Sequence, residues 1–193
     1  MNIKTVAKIG FLICIAYFIA VIIQIICNNN FSLHLVSIIT MLSGIYMTIL
    51  VIVFPDEKED KQFYRVMAIV CVSVCMVLTN VAHFMNIAVI RPFIENEVSV
   101  PDYFQIGKYP SALMAIDYLG WGLFMGLAFI CSSRFTSLEV NLKIFILICG
   151  FLCLAGFIGF MFNENIWYIA PIGYGIGTFV ICIKLLSIKS RTN

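Results

Sequence analysis

Six apolar stretches run along the chain between polar breaks: about Ile9–Cys27, Leu33–Phe54, Val66–Ile90, Ser111–Cys131, Leu142–Phe162 and Ile166–Lys184. A helix needs roughly 20 residues to cross a hydrocarbon core of about 30 Å, and each stretch meets that length closely. The runs are continuous rather than alternating, which excludes the dyad pattern of a membrane barrel. Hydrocarbon offers the backbone no hydrogen-bond partner, so every run is predicted as a helix. Turn residues mark the breaks: Asn28-Asn29-Asn30, Asn163-Glu164-Asn165, Pro55, and Pro92, Pro101 and Pro110 in the longest connection. Pro171 alone falls inside a predicted span. The predicted architecture is an all-α polytopic membrane bundle, six transmembrane helices in three hairpins, with residues 1–193 forming one membrane-embedded domain.

Composition agrees with the pattern. Hydrophobic residues make up 62% of the chain, charged residues 11%, and the mean hydropathy is +1.05. A soluble domain carries roughly 25% charged residues, so the solvent that fits this chain is lipid. A formal net charge of +2 gives no footprint for a nucleic-acid partner. The basic residues are nonetheless unevenly placed. Lys4, Lys8, Lys58, Lys61, Arg65, Arg134, Lys143, Lys184, Lys189 and Arg191 fall on one side of the predicted spans, Arg91 and Lys108 on the other. Lys and Arg concentrate in cytoplasmic segments, so both termini are expected in the cytoplasm and the chain in the cell membrane. The start of the chain has the charge pattern of a signal peptide. No small-residue cleavage site follows, and Ile25-Ile26-Cys27-Asn28 does not supply one, so an uncleaved first span is expected. The run Asp56–Lys61 reads as a solvated turn.

The cysteines do not form a C-x-x-C motif. Cys71 and Cys75, like Cys149 and Cys153, lie four apart inside apolar runs, which suits small packing residues better than metal ligands. Gly10-Phe11-Leu12 with Cys14 is similar to Gly150-Phe151-Leu152-Cys153, which suits either a duplicated hairpin or chance likeness between apolar helices. Helix packing has its own signals. Gly122-x-x-x-Gly126, Gly173-x-x-x-Gly177, Ala155-x-x-x-Gly159 and Ala16-x-x-x-Ala20 place small residues one turn apart, which lets helix backbones approach closely. The same ridges suit a membrane-protein partner.

Candidate chemistry centres on Asp117, the one formally charged residue well inside a predicted span. About six residues from the outer end, it lies roughly 9 Å deep at 1.5 Å per residue. A carboxylate in hydrocarbon is costly, and it must be partnered, protonated or hydrated. His83 lies at similar depth on the third span, with Asn80 and Asn86 three residues to either side and Thr79 one turn below. On the second span His34, Ser37, Gly44 and Thr48 share a face, and on the first Ala16, Ala20 and Gln24 do. If those faces turn inward, Gln24, His34, Asn80, His83, Asn86 and Asp117 converge in the outer half. The functional reading is a polar pocket in which Asp117 and His83 bind a small-molecule cation or exchange protons. The structural reading is a set of interhelical hydrogen bonds with no ligand. The connection Arg91–Pro110, with Phe93, Tyr103, Phe104 and Tyr109, is expected at the membrane surface, either capping a pocket or only linking two spans. Trp167 and Tyr168 stand on the same side, near the site or in the interfacial belt.

Several chemistries find no motif. Two histidines cannot make a three-histidine metal site, and H-E-x-x-H, G-x-S-x-G and a Walker loop do not occur. Gly173-x-Gly175-x-Gly177 has the wrong spacing for a nucleotide fingerprint, and no cofactor or metal is implied. Six spans in about 190 residues, with internal termini, resemble the substrate-binding subunits of energy-coupling-factor vitamin transporters. Ala16-x-x-x-Ala20 is similar to the motif by which those subunits meet their transmembrane partner. The resemblance is one of architecture and two residues, without a vitamin-site signature, and it implies a solute-binding role. Three expectations stand: a solute-binding or transport-related protein, an accessory or assembly subunit of a membrane complex, and a small lipid-modifying enzyme using His83 and Asp117.

Overall fold

A computed structural model describes residues 2–27, 30–55, 59–106, 109–162 and 166–187. Six helices among them are long and apolar enough to cross a membrane: α1 (Ile3–Cys27), α2 (Phe31–Val53), α3 (Gln62–Glu95), α4 (Ala112–Phe135), α5 (Val140–Phe162) and α6 (Ile169–Ser187). The turns expected at Asn28-Asn29 and 163–165, the stretch Asp56–Lys58, and Lys108, Lys189 and Arg191 lie outside the described residues.

The helix limits differ from the expected ones for local reasons. α1 starts at Ile3 rather than Ile9, because the Asn2 side chain accepts a hydrogen bond from the Lys4 backbone amide at 3.0 Å and caps the first turn. α4 starts one residue late, behind Ser111, whose Oγ accepts from the Met114 amide at 3.4 Å. It also runs on to Phe135. α3 continues through Pro92, which the sequence marked as loop. A proline inside a helix removes a hydrogen bond and crowds the preceding turn. Here the preceding turn, Asn86–Ile90, is a wide π-helical one, in which the Arg91 amide donates to the Asn86 carbonyl five residues back. Pro171 sits in the first turn of α6, where its missing N–H was not needed.

Two further π-helical turns break the α pattern: Leu119–Phe124 in α4 and Ile172–Ile176 in α6. Each closes with an amide bonded five residues back, Met125 to Gly120 and Gly177 to Ile172.

Each helix packs on its neighbours in sequence, and α6 closes the circle onto α1. The main core lies between them, with Leu50, Val72, Met125, Phe129, Ile146, Ile181 and Leu185 fully enclosed. The outside is apolar too. Leu12, Ile22, Ile26, Leu42, Val77, Phe151 and Ile158 are about half exposed or more. Such a belt would drive aggregation in water and suits contact with lipid.

The small-residue ridges are used inside the bundle. A Cβ on Gly126 would stand 2.9 Å from the Gly150 carbonyl, and one on Gly122 would stand 2.6 Å from Phe157 Cβ, so α4 lies directly against α5. Gly173 and Gly177 receive the Cys149–Cys153 ridge: added carbons would come within 2.8 Å of Cys153 Sγ and 2.5 Å of Cys149 Sγ. On α5 the close approach to α6 is made by Gly156 and Gly159, against Ala170 and Ile166, while Ala155 stays half-buried. Gly10 makes room for the Tyr46 hydroxyl, a different task from that of Gly150. Ala20 is fully enclosed and Ala16 half-buried. All eight cysteines are free, and Cys71, Cys75, Cys149, Cys153 and Cys182 are buried.

Candidate functional site

The third and fourth helices carry the ionisable centre. His83 faces α4 from the last α-helical turn of α3, and Asp117 stands just before the wide turn of α4. His83 Nε2 and Asp117 Oδ1 are 3.6 Å apart, beyond a hydrogen bond, with side chains 5% and 18% exposed. A charged pair at that distance attracts by about 4–5 kcal/mol in an effective dielectric of about 20. Desolvation of both groups opposes that gain.

Around the pair, polar atoms are buried without hydrogen-bond partners in the protein. They are Thr79 Oγ1, Asn80 Oδ1, both ring nitrogens of His83, Asn86 Oδ1, Asp117 Oδ1 and Trp121 Nε1. An unpaired buried polar group costs about 1–3 kcal/mol. Asn86 is held by its other end, its Nδ2 donating to Ser37 Oγ on α2 at 2.9 Å. Gly120 keeps α4 close to α3 here, since a Cβ would stand 3.2 Å from both Thr79 Oγ1 and the Cys75 carbonyl. Trp121 packs on Tyr174 of α6, with ring centroids 4.8 Å apart. Asp117 is within electrostatic range of Tyr17 on α1, Tyr118 on its own helix and Tyr174 on α6.

All three wide turns adjoin this centre. Asn86 opens the first, Trp121 lies in the second and Tyr174 in the third. A π turn holds one residue more than an α turn and shifts the helix face beyond it by roughly 100°. Counting at 100° per residue puts Asp117 opposite Gly126 in a regular helix. With the wide turn between them the angle falls to roughly 80°.

The remaining candidates make contacts of their own. Gln24 Oε1 accepts a 2.6 Å hydrogen bond from Ser32 Oγ, which ties α1 to α2. His34 is buried within range of Arg91 and Glu95, themselves paired at 2.6 Å near the end of α3. The 91–110 connection rests on α5 through Tyr109, whose hydroxyl donates to the Phe160 carbonyl at 3.2 Å. Phe160 in turn stacks on Tyr118, with centroids 4.9 Å apart, and Tyr118 meets Trp167 edge-on. Tyr168 is exposed. A cavity of about 370 Å³ between Tyr109, Ala112 and Phe160 is apolar and does not reach Asp117.

Trp121 and the three tyrosines were not singled out from sequence. Trp121 carried a usable signal, four residues after Asp117 and so one turn along the same helix. Tyr17 and Tyr174 carried none. No protein-family model, curated protein or solved structure matches this chain.

Proposed function

We propose that this chain is a multi-pass protein of the cell membrane that binds a small cation, a proton included, at His83 and Asp117. On this reading it serves solute binding or transport. The six spans form three hairpins with both termini in the cytoplasm, an orientation supported by the ten-to-two division of basic residues. It is further supported by a cavity at one end of the bundle that Asn2, Pro55, Ser137 and Ser187 line together.

One observation carries the functional reading: beside a His–Asp pair that itself lacks hydrogen bonds, four more buried polar atoms, on Thr79, Asn80, Asn86 and Trp121, have no hydrogen-bond partner among the described residues. Interhelical glue is paired, as Asn86 and Ser37 are. At about 1–3 kcal/mol each, the four atoms outside the pair cost an appreciable part of the roughly 5–15 kcal/mol by which a domain is typically stable. On this reading a polar ligand completes the cluster. Of the five side chains other than His83, four offer oxygen acceptors and one of them is a carboxylate, which favours a cation. The adjacent π turns add support, because such turns concentrate at functional sites. The glycine ridges that would suit an accessory subunit are occupied within the bundle.

The test is a thermal-unfolding screen of the purified protein against monovalent cations, amines, amino acids and vitamins. A ligand at about 100 times its dissociation constant stabilises by about 2.7 kcal/mol. The shift is expected to vanish in Asp117→Asn and His83→Ala. Proton exchange is read from the pH dependence of unfolding, which should change in Asp117→Asn. Ligand shifts and pH dependence both indifferent to these two substitutions would end the proposal.

A further inference from the structure

A cavity of about 980 Å³ opens at the end of the bundle where α1 begins and α6 ends, away from the His83–Asp117 centre. Among the described residues its polar side carries Lys4 and Lys184 against one carboxylate, Glu139, a charge of +1 on the lining. Two helices start at this cavity, α1 at Ile3 and α5 at Val140, and Asn141 of the first turn of α5 is in the wall. Helix starts carry partial positive charge, which favours an anion. The ends of α2, α4 and α6 also reach this cavity, through Pro55, Ser137 and Ser187, and contribute the opposite sign, which Lys184 in the last turn of α6 offsets in part, so the two lysines carry the preference for an anion. Leu142, Phe145 and Val180 give the wall an apolar side, and Asn2, Ser137 and Ser187 add neutral polar groups.

We propose that this cavity binds an anionic phospholipid, with Lys4 and Lys184 holding the phosphate and Phe145 and Val180 flanking an acyl chain. The cavity lies at the ends of five spans, α1, α2, α4, α5 and α6, the level at which a bilayer places its headgroups. Free phosphate would meet the same lysines and make no use of the apolar wall.

The full chain, purified in detergent, is titrated with short-chain phosphatidylglycerol, phosphatidylcholine and inorganic phosphate, and binding is read by native mass spectrometry and unfolding temperature. Phosphatidylglycerol is expected to bind and stabilise while the other two do neither. Each of Lys4→Gln and Lys184→Gln should weaken it about fivefold, and the double variant about 30-fold. Lys8→Gln, exposed and outside the cavity wall, should leave binding unchanged. Lys4→Arg with Lys184→Arg keeps the charges and should keep binding, which separates loss of the site from loss of the fold. Equal binding of phosphatidylcholine, undiminished binding in the double Gln variant, or equal weakening by Lys8→Gln would overturn the proposal. A full shift from inorganic phosphate alone would overturn the lipid in favour of a free anion.

Discussion

Asp117→Asn separates a binding centre from a structural clasp by the sign of its effect on stability. The substitution keeps the shape of the side chain and removes its charge. Attraction across 3.6 Å amounts to about 4–5 kcal/mol at an effective dielectric of about 20, and only when His83 is protonated. Against it stands desolvation, several kcal/mol for each ion in a buried site. A buried pair repays that cost when further hydrogen bonds satisfy its remaining atoms. This pair lacks them: Asp117 Oδ1 and both His83 nitrogens have no hydrogen-bond partner. The balance therefore favours the uncharged side chain, and Asp117→Asn should leave the unliganded protein at least as stable as the wild type, with an unfolding midpoint that does not fall. The buried free thiols, Cys75 and Cys153 among them, supply the assay, because a thiol-reactive fluorophore reports their exposure as the bundle opens. The same variant should lose the ligand- or proton-linked shift of the wild type. A drop of about 3–5 kcal/mol, the penalty for breaking a well-made buried ion pair, would refute the reasoning and make the pair a clasp.

Other outcomes follow from the same geometry. Ser37→Ala deprives Asn86 Nδ2 of its acceptor and should cost about 1–3 kcal/mol, and an unchanged midpoint would deny the α2–α3 hydrogen bond. Gly156→Ala places a methyl 2.4 Å from the Ala170 backbone nitrogen and should cost about 1–3 kcal/mol through overpacking. Gly175→Ala meets nothing within 4 Å and should gain up to about 1 kcal/mol from helix propensity, so equal midpoints for these two variants would contradict the α5–α6 approach. Cys27, exposed at the end of α1 opposite the termini, should react with a membrane-impermeant maleimide on intact cells. Labelling of Cys27 only after lysis would reverse the orientation.

Much of the fold was legible because length and apolarity decide what crosses a membrane. No polar residue interrupts α1 or α5 often enough to hide them. Their ends were harder to read, since the Asn2 cap and the passage of α3 through Pro92 depend on hydrogen bonds rather than composition. The spacing of Gly122 with Gly126, and of Gly173 with Gly177, marked close approach in advance. Which surfaces receive them, the Gly150 backbone and the two cysteines of α5, is tertiary information. At the site, His83 and Asp117 stood out because an ionisable group in hydrocarbon is expensive. Gln24 shares that polarity, yet it finds a partner nearer to hand in Ser32, and His34 lies within electrostatic range of the Arg91–Glu95 pair. Depth along a helix could be counted from the sequence. Rotation could not, because nothing local announced the three wide turns.

Those turns gear one end of the bundle to the other. In α4 the segment bearing Asp117 and the segment bearing Gly126 are coupled through a single surplus residue, so their relative heading is a matter of register rather than of side-chain chemistry. Deleting one residue between Leu119 and Phe124 would restore a regular spiral and swing the carboxylate by roughly 100° without touching it. Helices 3 and 6 carry the same kind of joint beside Asn86 and Tyr174. The heading of the polar centre is thus set by three offsets in the winding of the chain.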